Sequence, residues 1–295
     1  MSKAALISLL EETDSEIFRS VEAEFLVIGI EAIPLLEKKW EEIDNEVIQT
    51  RIVNLIHKIQ FNSVKSQLKF WASEGGSDLF FGAFLVAKYH FPNLSYNLLN
   101  EMMNIIRRDI WFEINDQQST LEKIRAFNRI FFGQYRFQRH TTDFFHINNC
   151  LINSVIESKR GNDISLSILY MVLCQRLGLP VYGVNLPMNF ILAFMNMQTG
   201  PITIKNNPKN ISNIDLSKTD VLFYINPLID GVVLSKRDID NFLADQNLEY
   251  NSNYYRPTTN IQIINVLLSN LESCYDLDNS IANVNEIHEL SKLLI

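Results

Sequence analysis

The chain has 295 residues, of which 47% are hydrophobic and 20% are charged, and its formal net charge is −8 at pH 7. This length can hold one to three domains with a substantial core. The negative charge counts against general nucleic-acid binding, which needs a basic surface. The three cysteines, Cys150, Cys174 and Cys274, are widely spaced and form no CxxC pair. That pattern is typical of a reducing cytoplasm and excludes a disulfide scaffold or a cysteine zinc site.

The sequence carries no signal for a membrane, a metal or a cofactor. Its first twelve residues lack the anatomy of a signal peptide, and no apolar run reaches membrane-spanning length. His140 and His146 lie in a polar segment where Asp143 is the lone carboxylate, which is a poor set of metal ligands. We therefore expect a soluble, cytoplasmic protein without a metal or a cofactor.

The first 75 residues predict helical hairpins. A capping box begins at Thr13-Asp14, Gly29 ends the first helix, and Pro34 lies in the first turn of the next. The pattern recurs about 32 residues later, which predicts one helix that ends near Ile59 and another from Val64 onward. Such a helix pair resembles a HEAT-type repeat and would imply docking or interdomain packing. The alternative interpretation is a plain helical cap on the core.

A second part of the chain begins after Gly75-Gly76-Ser77, the clearest break in its first half. Apolar patterns and capping signals predict further helices, and short apolar runs predict strands. The boundaries that we predict are 1–75 for helical hairpins, 76–250 for a core and 251–295 for a C-terminal helical hairpin. The predicted helices cover 79–89, 94–111, 235–244, 259–275 and 285–294, with one more opening at Ser119, and the predicted strands cover 181–184, 190–195, 202–205 and 221–225.

The centre of this core is a helix from Asp163 to Arg176. No charged side chain lies between these two residues, and apolar residues occur on every helical face, which is typical of a buried helix. Gly178-Leu179-Pro180 ends it.

Three motifs in this region, in order, are SKRGNDISLSILYMVLCQRLGLPVYGVNLPMNF, LFYINPLIDGVVLS and YYRPTTNIQIINVLLSNLESCY. Together they resemble the bacterial transglutaminase-like proteins of the invasion-regulator type, over roughly residues 80–275. The resemblance implies an α+β fold with a papain-like core, in which a buried central helix packs on a small antiparallel sheet. The flanking helical hairpins make the protein predominantly helical.

The resemblance also implies where catalytic groups would lie. Active members of the wider superfamily carry a Cys at the N-terminus of the central helix, a His on the next strand and an Asp on the strand after. The helix dipole favours the thiolate, the imidazole transfers the proton, and the carboxylate orients the imidazole. In this chain the three positions fall at Asp163, Asn189 and Asn226.

None of the three residues has the required chemistry. The Asn189 amide has no proton-accepting nitrogen, Asp163 is a poor nucleophile that we interpret as the N-cap of the helix, and Asn226 has no imidazole to orient. The three form either a polar cluster in a vestigial cleft or groups that only satisfy one another and the helix end. The sequence therefore predicts a pseudoenzyme that serves as a binding, scaffold or regulatory module for a protein partner.

Two alternatives stay open. A hydrolase or amidase could use Ser165 or Cys150 as nucleophile, with His140 or His146 folding in from the upstream loop. A regulator with a small-molecule pocket is neither supported nor excluded, and the oligomeric state is left open. Cys150 is more simply interpreted as a buried, inert cysteine.

Overall fold

The computed structural model describes residues 3–12, 14–140, 146–196 and 220–294. It divides into two compact units, the first formed by Met1–Phe70 with Lys88–Pro92 and the second by Trp71–Ala87 with Asn93–Ile295. The sequence-predicted boundaries at 75 and 250 stay a prediction.

The first unit is built from helices around a small apolar core. Gly29 adopts a left-handed φ of 72° after the second helix, as its predicted role as a helix end requires. Leu10, Phe25 and Ile52 are completely buried in this core. The helices of this unit are α1 (Lys3–Ser8), α2 (Ser15–Ile28), α3 (Ile33–Glu42) and most of α4 (Glu46–Ser73).

The prediction of a second hairpin in this unit is wrong, because α4 is one continuous helix of 28 residues. The segment between Ile59 and Val64 contains neither Gly nor Pro, so nothing in it breaks the helix. Buried residues continue at helical spacing through Ile59, Val64 and Leu68. The two predicted helices are therefore successive parts of a single amphipathic face.

The second unit contains the central helix and the sheet. The central helix is buried on all sides, since every residue from Ile164 to Cys174 is buried, as the sequence predicts. The helices of this unit are the rest of α4, most of α5 (Leu79–His90), α6 (Tyr96–Glu113), α7 (Thr120–Asn128), α8 (Ile152–Ser158), α9 (Asp163–Arg176), α10 (Lys236–Asp245), α11 (Asn260–Leu277) and α12 (Ile281–Ser291).

A four-stranded antiparallel sheet packs against α9, and its strands follow chain order. The strands are β3 (Val181–Leu186), β4 (Asn189–Met195), β5 (Val221–Asn226) and β6 (Val232–Leu234), preceded by the short parallel pair β1 (Gln138–Arg139) and β2 (Arg160–Gly161). The sequence did not predict β6, and its predicted strand at 202–205 lies outside the described residues. The buried helix on a small antiparallel sheet confirms the α+β, papain-like class.

The register of the first hairpin fixes where its polar residues lie. Leu186 pairs with Asn189 across a two-residue turn, and Ile225 of β5 pairs with Leu192 of β4. Side chains alternate between the two faces of a strand. One face of the sheet therefore carries an apolar cluster that packs with α10 and contains Tyr182, Val184, Leu186, Ile191, Ala193, Met195, Tyr224, Ile239 and Leu243.

A partly buried chain of hydrogen bonds joins α9 to the turn between β5 and β6. The Tyr170 hydroxyl donates to Asn128 Oδ1 at 2.7 Å, and Asn128 Nδ2 donates to the Gly231 carbonyl at 2.9 Å. Gly231 has φ of 71°, and a Cβ there would lie 2.5 Å from the Asn128 amide atoms. The turn between β5 and β6 thus requires glycine for both backbone and space.

Within the described ranges, no helix combines the length and the apolar character needed to cross a bilayer. The same residues contain no group of three or more His, Cys, Asp or Glu side chains that could hold a metal ion.

Candidate functional site

The N-terminal end of α9 is held by a reciprocal capping box. Asn162 is the N-cap, and its side chain accepts the Ser165 backbone N–H at 2.9 Å. The Ser165 hydroxyl in turn accepts the Asn162 backbone N–H at 3.1 Å. The prediction that Asp163 caps this helix is therefore wrong: Asp163 is the first helical residue, and the extended residue before it satisfies the orphan N–H group.

Asp163 instead joins α9 to the sheet. Its Oδ2 accepts the backbone N–H of Phe190, the second residue of β4, at 3.1 Å. Burial raises the pKa of the Asp163 carboxyl above its ordinary value of 3.8. Bonds from the backbone N–H groups of Ile164 and Phe190, together with the charge of Arg139, oppose that rise. The side chain that the resemblance places at the nucleophile position is thus a partly buried anchor for a strand.

Asn189 begins β4 and is half-buried. Its Oδ1 is fully buried and has no hydrogen-bond partner among the described residues. The preceding residue, Met188, is 76% exposed and has φ of 60°. A left-handed conformation is costly for a bulky residue, and such strain is concentrated at functional sites. The histidine position therefore presents an unused acceptor beside a strained, exposed apolar side chain.

Asn226 is the last residue of β5 and is buried. Its side chain accepts the Leu228 backbone N–H at 3.0 Å and so caps the short 3-10 turn that follows. Asn226 therefore has a local structural role at the end of its strand.

The structure brings the three triad positions to neighbouring ends of α9, β4 and β5 without joining their side chains. Alternation along β4 and β5 places Asn189 and Asn226 on one sheet face, which is shared with Ile191 and Tyr224. Asp163 reaches the main chain of the residue after Asn189. Among the described residues, the Asp163 and Asn226 side chains accept hydrogen bonds from backbone N–H groups, whereas Asn189 Oδ1 has no partner.

The two alternative nucleophiles are buried and already engaged. The Ser165 hydroxyl donates to the carbonyl of Asn149 at 2.6 Å. Cys150 Sγ lies 3.8 Å from Cys274 Sγ and accepts from Asn162 Nδ2 at 3.3 Å. The contact with the Cys274 thiol, together with burial, raises the pKa of the Cys150 thiol, so it stays protonated at neutral pH.

The two candidate histidines interact with other groups. The backbone N–H of His140 donates to the Gly161 carbonyl at 3.1 Å. His146 is exposed, and its Nδ1 accepts the Asn148 backbone N–H at 3.2 Å. Neither histidine is a hydrogen-bond partner of either alternative nucleophile within the described ranges. Asp143 lies outside the described residues.

Sequence reasoning missed two residues that shape this site. Asn149 supplies a buried carbonyl that accepts from both Ser165 Oγ and the Asn162 N–H. The charge of Arg139, which lies in β1, acts to lower the pKa of the Asp163 carboxyl. The spacing of Asn162 and Ser165 is that of a capping box, and this signal could have identified the true cap. No local signal indicates Asn149, because its role depends on tertiary packing.

Comparison with known proteins gives a consistent result. A UPF0162 protein of Xylella fastidiosa is 27% identical over 110 residues, which cover 37% of this chain and 39% of that protein. A UPF0162 protein of Pasteurella multocida is 31% identical over 80 residues, covering 27% of this chain and 30% of that protein. Human F-box only protein 21 is also 31% identical over 80 residues, which are 12% of its length. The chain thus spans about two fifths or less of each of these relatives.

No solved structure matches the chain at a significant level. The family model described as the transglutaminase-like superfamily matches residues 97–269, which include α9, the sheet and all three triad positions. The chain therefore belongs to the transglutaminase-like superfamily.

Proposed function

We propose that this protein is a transglutaminase-like pseudoenzyme that binds a protein partner at the N-terminal end of α9. The observation that carries the proposal is the role of Asp163. Its carboxylate occupies the nucleophile position and already accepts the Phe190 N–H. A carboxylate used in this way neither attacks an amide nor receives a proton from one.

The positions that should support a nucleophile favour the same conclusion. Asn189 and Asn226 are amides, which neither accept a proton near neutral pH nor hold an imidazole in place. Ser165 and Cys150 are buried in the packing around the helix cap. These observations support a binding role over a hydrolase or amidase.

The binding surface that we infer is centred on the turn between β3 and β4. Asn189 is half-buried, and its carbonyl oxygen has no hydrogen-bond partner among the described residues. A partner that donated a hydrogen bond to it as the side chain turned outward would relieve the cost of leaving it unpaired. Met188 places an exposed, flexible apolar side chain beside it. An acceptor next to an adaptable apolar contact suits a segment of polypeptide, which carries N–H donors and side chains together.

We also propose a place and an organisation for the protein. It would act in the cytoplasm, as a member of the invasion-regulator type within the superfamily. Residues 1–75 would serve as a HEAT-like docking region, residues 76–250 as the transglutaminase-like core and residues 251–295 as a C-terminal hairpin. All cysteines of the described chain are buried and free of disulfide bonds, which supports a location in the reducing cytoplasm.

A turnover assay tests the absence of catalysis. The purified protein is incubated with a Gln-containing peptide and a fluorescent primary amine, and amine incorporation and ammonia release are measured beside an active transglutaminase. We expect no turnover, and no stoichiometric labelling of the native protein by a thiol-directed or serine-directed probe. Turnover that disappears in Asp163→Ala, Cys150→Ala or Ser165→Ala would overturn the proposal. Labelling of Ser165 or Cys150 would support the hydrolase instead.

A second experiment tests the binding role. A photo-crosslinking amino acid replaces Met188 in cells, and the matched control replaces Ile281, which is 75% exposed in the C-terminal helices. We expect a protein adduct from position 188 and none from 281. The purified partner should bind Asn189→Leu about ten-fold more weakly, the effect of one hydrogen bond. Equal adducts from both positions, or unchanged binding by Asn189→Leu, would refute this surface.

A further inference from the structure

Helix α6 carries an exposed apolar stripe that the core does not use. Leu98, Ile105 and Phe112 are 63%, 48% and 71% exposed. Their spacing is seven residues, which is about 20° short of two full helical turns, so the three side chains lie in one row of about 21 Å.

This row is separate from the face that holds α6 in the fold. The buried side chains of α6 are Leu99, Met103, Ile106 and Ile110, and they form their own helical face. At 100° per residue, the centre of that face lies about 130° around the helix from the exposed row. α6 is thus apolar on two sides, and scattered surface hydrophobics do not fall into such a row.

Two opposite charges flank the centre of the row. Glu101 lies four residues before Ile105 and Arg108 lies three residues after it, and both are exposed on the same edge. Glu101 has no ion-pair partner within the described part of the chain. Arg108 Nε lies 3.7 Å from a carboxylate oxygen of the adjacent Asp109, and its side chain is 61% exposed.

The arrangement is complementary to itself. When two copies of α6 pack antiparallel about a two-fold axis at Ile105, each Ile105 faces the same residue of the other copy. Leu98 then faces Phe112, and Glu101 lies beside Arg108, and each of these two contacts occurs twice. A parallel pairing would instead place the charged edges of the two copies on opposite sides of the interface, so neither ion pair could form.

We propose that the exposed row of α6 is a homodimer interface, in which a second copy of this chain packs antiparallel along Leu98, Ile105 and Phe112. The self-complementary charges select a second copy over an unrelated helix. A single helix pair falls at the small end of protein interfaces, so the dimer should dissociate at roughly micromolar concentrations. The proposal is independent of the binding role inferred for the β3–β4 turn.

Charge reversal tests the pairing. Sedimentation of the full chain across a concentration series should give a monomer–dimer equilibrium that weakens in salt. Glu101→Arg and Arg108→Glu should each weaken dimerisation, and the double variant, which restores both ion pairs, should recover it. A monomer at all concentrations up to about a hundred micromolar would overturn the proposal, and so would a dimer that the double variant fails to recover.

Cross-linking tests the position of the axis. Because Ile105 faces itself, Ile105→Cys should form a disulfide-linked dimer when copper phenanthroline oxidises the two thiols. Asn104→Cys is the matched control, since Asn104 is exposed on the same helix about 100° away from Ile105. The cysteines of the wild-type chain are buried and provide the background. Equal cross-linking of both variants, or of neither, would refute an axis at Ile105.

Discussion

Asp163 allows the structural and catalytic roles of the nucleophile position to be separated by two substitutions. Asp163→Asn keeps an oxygen that accepts the Phe190 N–H but removes the charge. Asp163→Ala removes both. If the residue is a strand anchor, the hydrogen bond should matter and the charge should not. We therefore expect Asp163→Ala to lose stability and Asp163→Asn to keep it at pH 7.

The structure sets the size and the sign of each effect. The bond from the Phe190 N–H is partly buried, so leaving it unpaired should cost about 1–2 kcal/mol, in the lower part of the usual range. Each kcal/mol lost should lower the Tm of a unit of this size by roughly 2–4 °C. Burial raises the native-state pKa of Asp163 above its ordinary value of 3.8. At pH values between the unfolded-state and native-state pKa, the native state therefore binds more protons than the unfolded state. The wild type loses stability as pH rises through that interval, and Asp163→Asn should not.

The assay needs to report on the second unit alone. Trp40 lies in the first unit, whereas Trp71 and Trp111 lie in the second. In a Trp40→Phe background, urea unfolding followed by tryptophan fluorescence should report the second unit at several pH values between about 4 and 8. We expect the advantage of Asp163→Asn over the wild type to grow with pH and then to level off. An Asp163→Asn variant as unstable as Asp163→Ala at pH 7 would show that the charge itself is required.

Three further predictions use matched pairs in the second unit, each checked by thermal unfolding. Gly231→Ala and Gly178→Ala both place alanine at a positive φ, which costs about 1–2 kcal/mol. Only at 231 would the new Cβ overlap the side chain of Asn128, so Gly231→Ala should be clearly the less stable. Equal losses would contradict the close contact. Ser165→Ala should cost about 1–3 kcal/mol, because its hydroxyl caps the helix and donates to a buried carbonyl. Ser167→Ala should cost less than about 1 kcal/mol, because the one hydrogen bond of its hydroxyl is 3.5 Å long. The reverse order would refute the capping role. Met188→Gly should gain about 0.5–1 kcal/mol by relieving its left-handed strain, and Met188→Ala should gain nothing; no difference between the two would mean that the turn is unstrained.

The parts of the fold that could be predicted are those in which local pattern and tertiary demand agree. The helix from Asp163 to Arg176 is apolar on all faces, and burial on all sides is the environment such a helix requires. The capping boxes at Ser119 and Ser235 mark helices that the structure contains. The strands predicted at 181–184 and 190–195 lie within the observed strands Val181–Leu186 and Asn189–Met195, because short apolar runs flank a turn.

The errors arose where one signal had two physical readings. The break predicted between Ile59 and Val64 is absent, because a segment without Gly or Pro also continues a longer helix. Asp and Asn are both residue types that cap helices well. The buried carbonyl of Asn149, earlier in the chain, accepts from Asn162 and Ser165 and so decides that Asn162 is the N-cap. The role of that carbonyl depends on tertiary packing, which no local sequence pattern indicates.

The N-terminal end of α9 shows why the fold of an enzyme does not by itself supply catalytic chemistry. A helix N-terminus favours an anion, and a thiolate nucleophile draws on that effect. Yet burial still raises the pKa of the Asp163 carboxyl, so at this position the desolvation cost exceeds what the helix end and the backbone donors return. A thiol here would meet the same cost without a neighbouring imidazolium to offset it. The fold alone therefore does not activate a nucleophile at this helix end, and the amide of Asn189 supplies no imidazolium that could offset the cost.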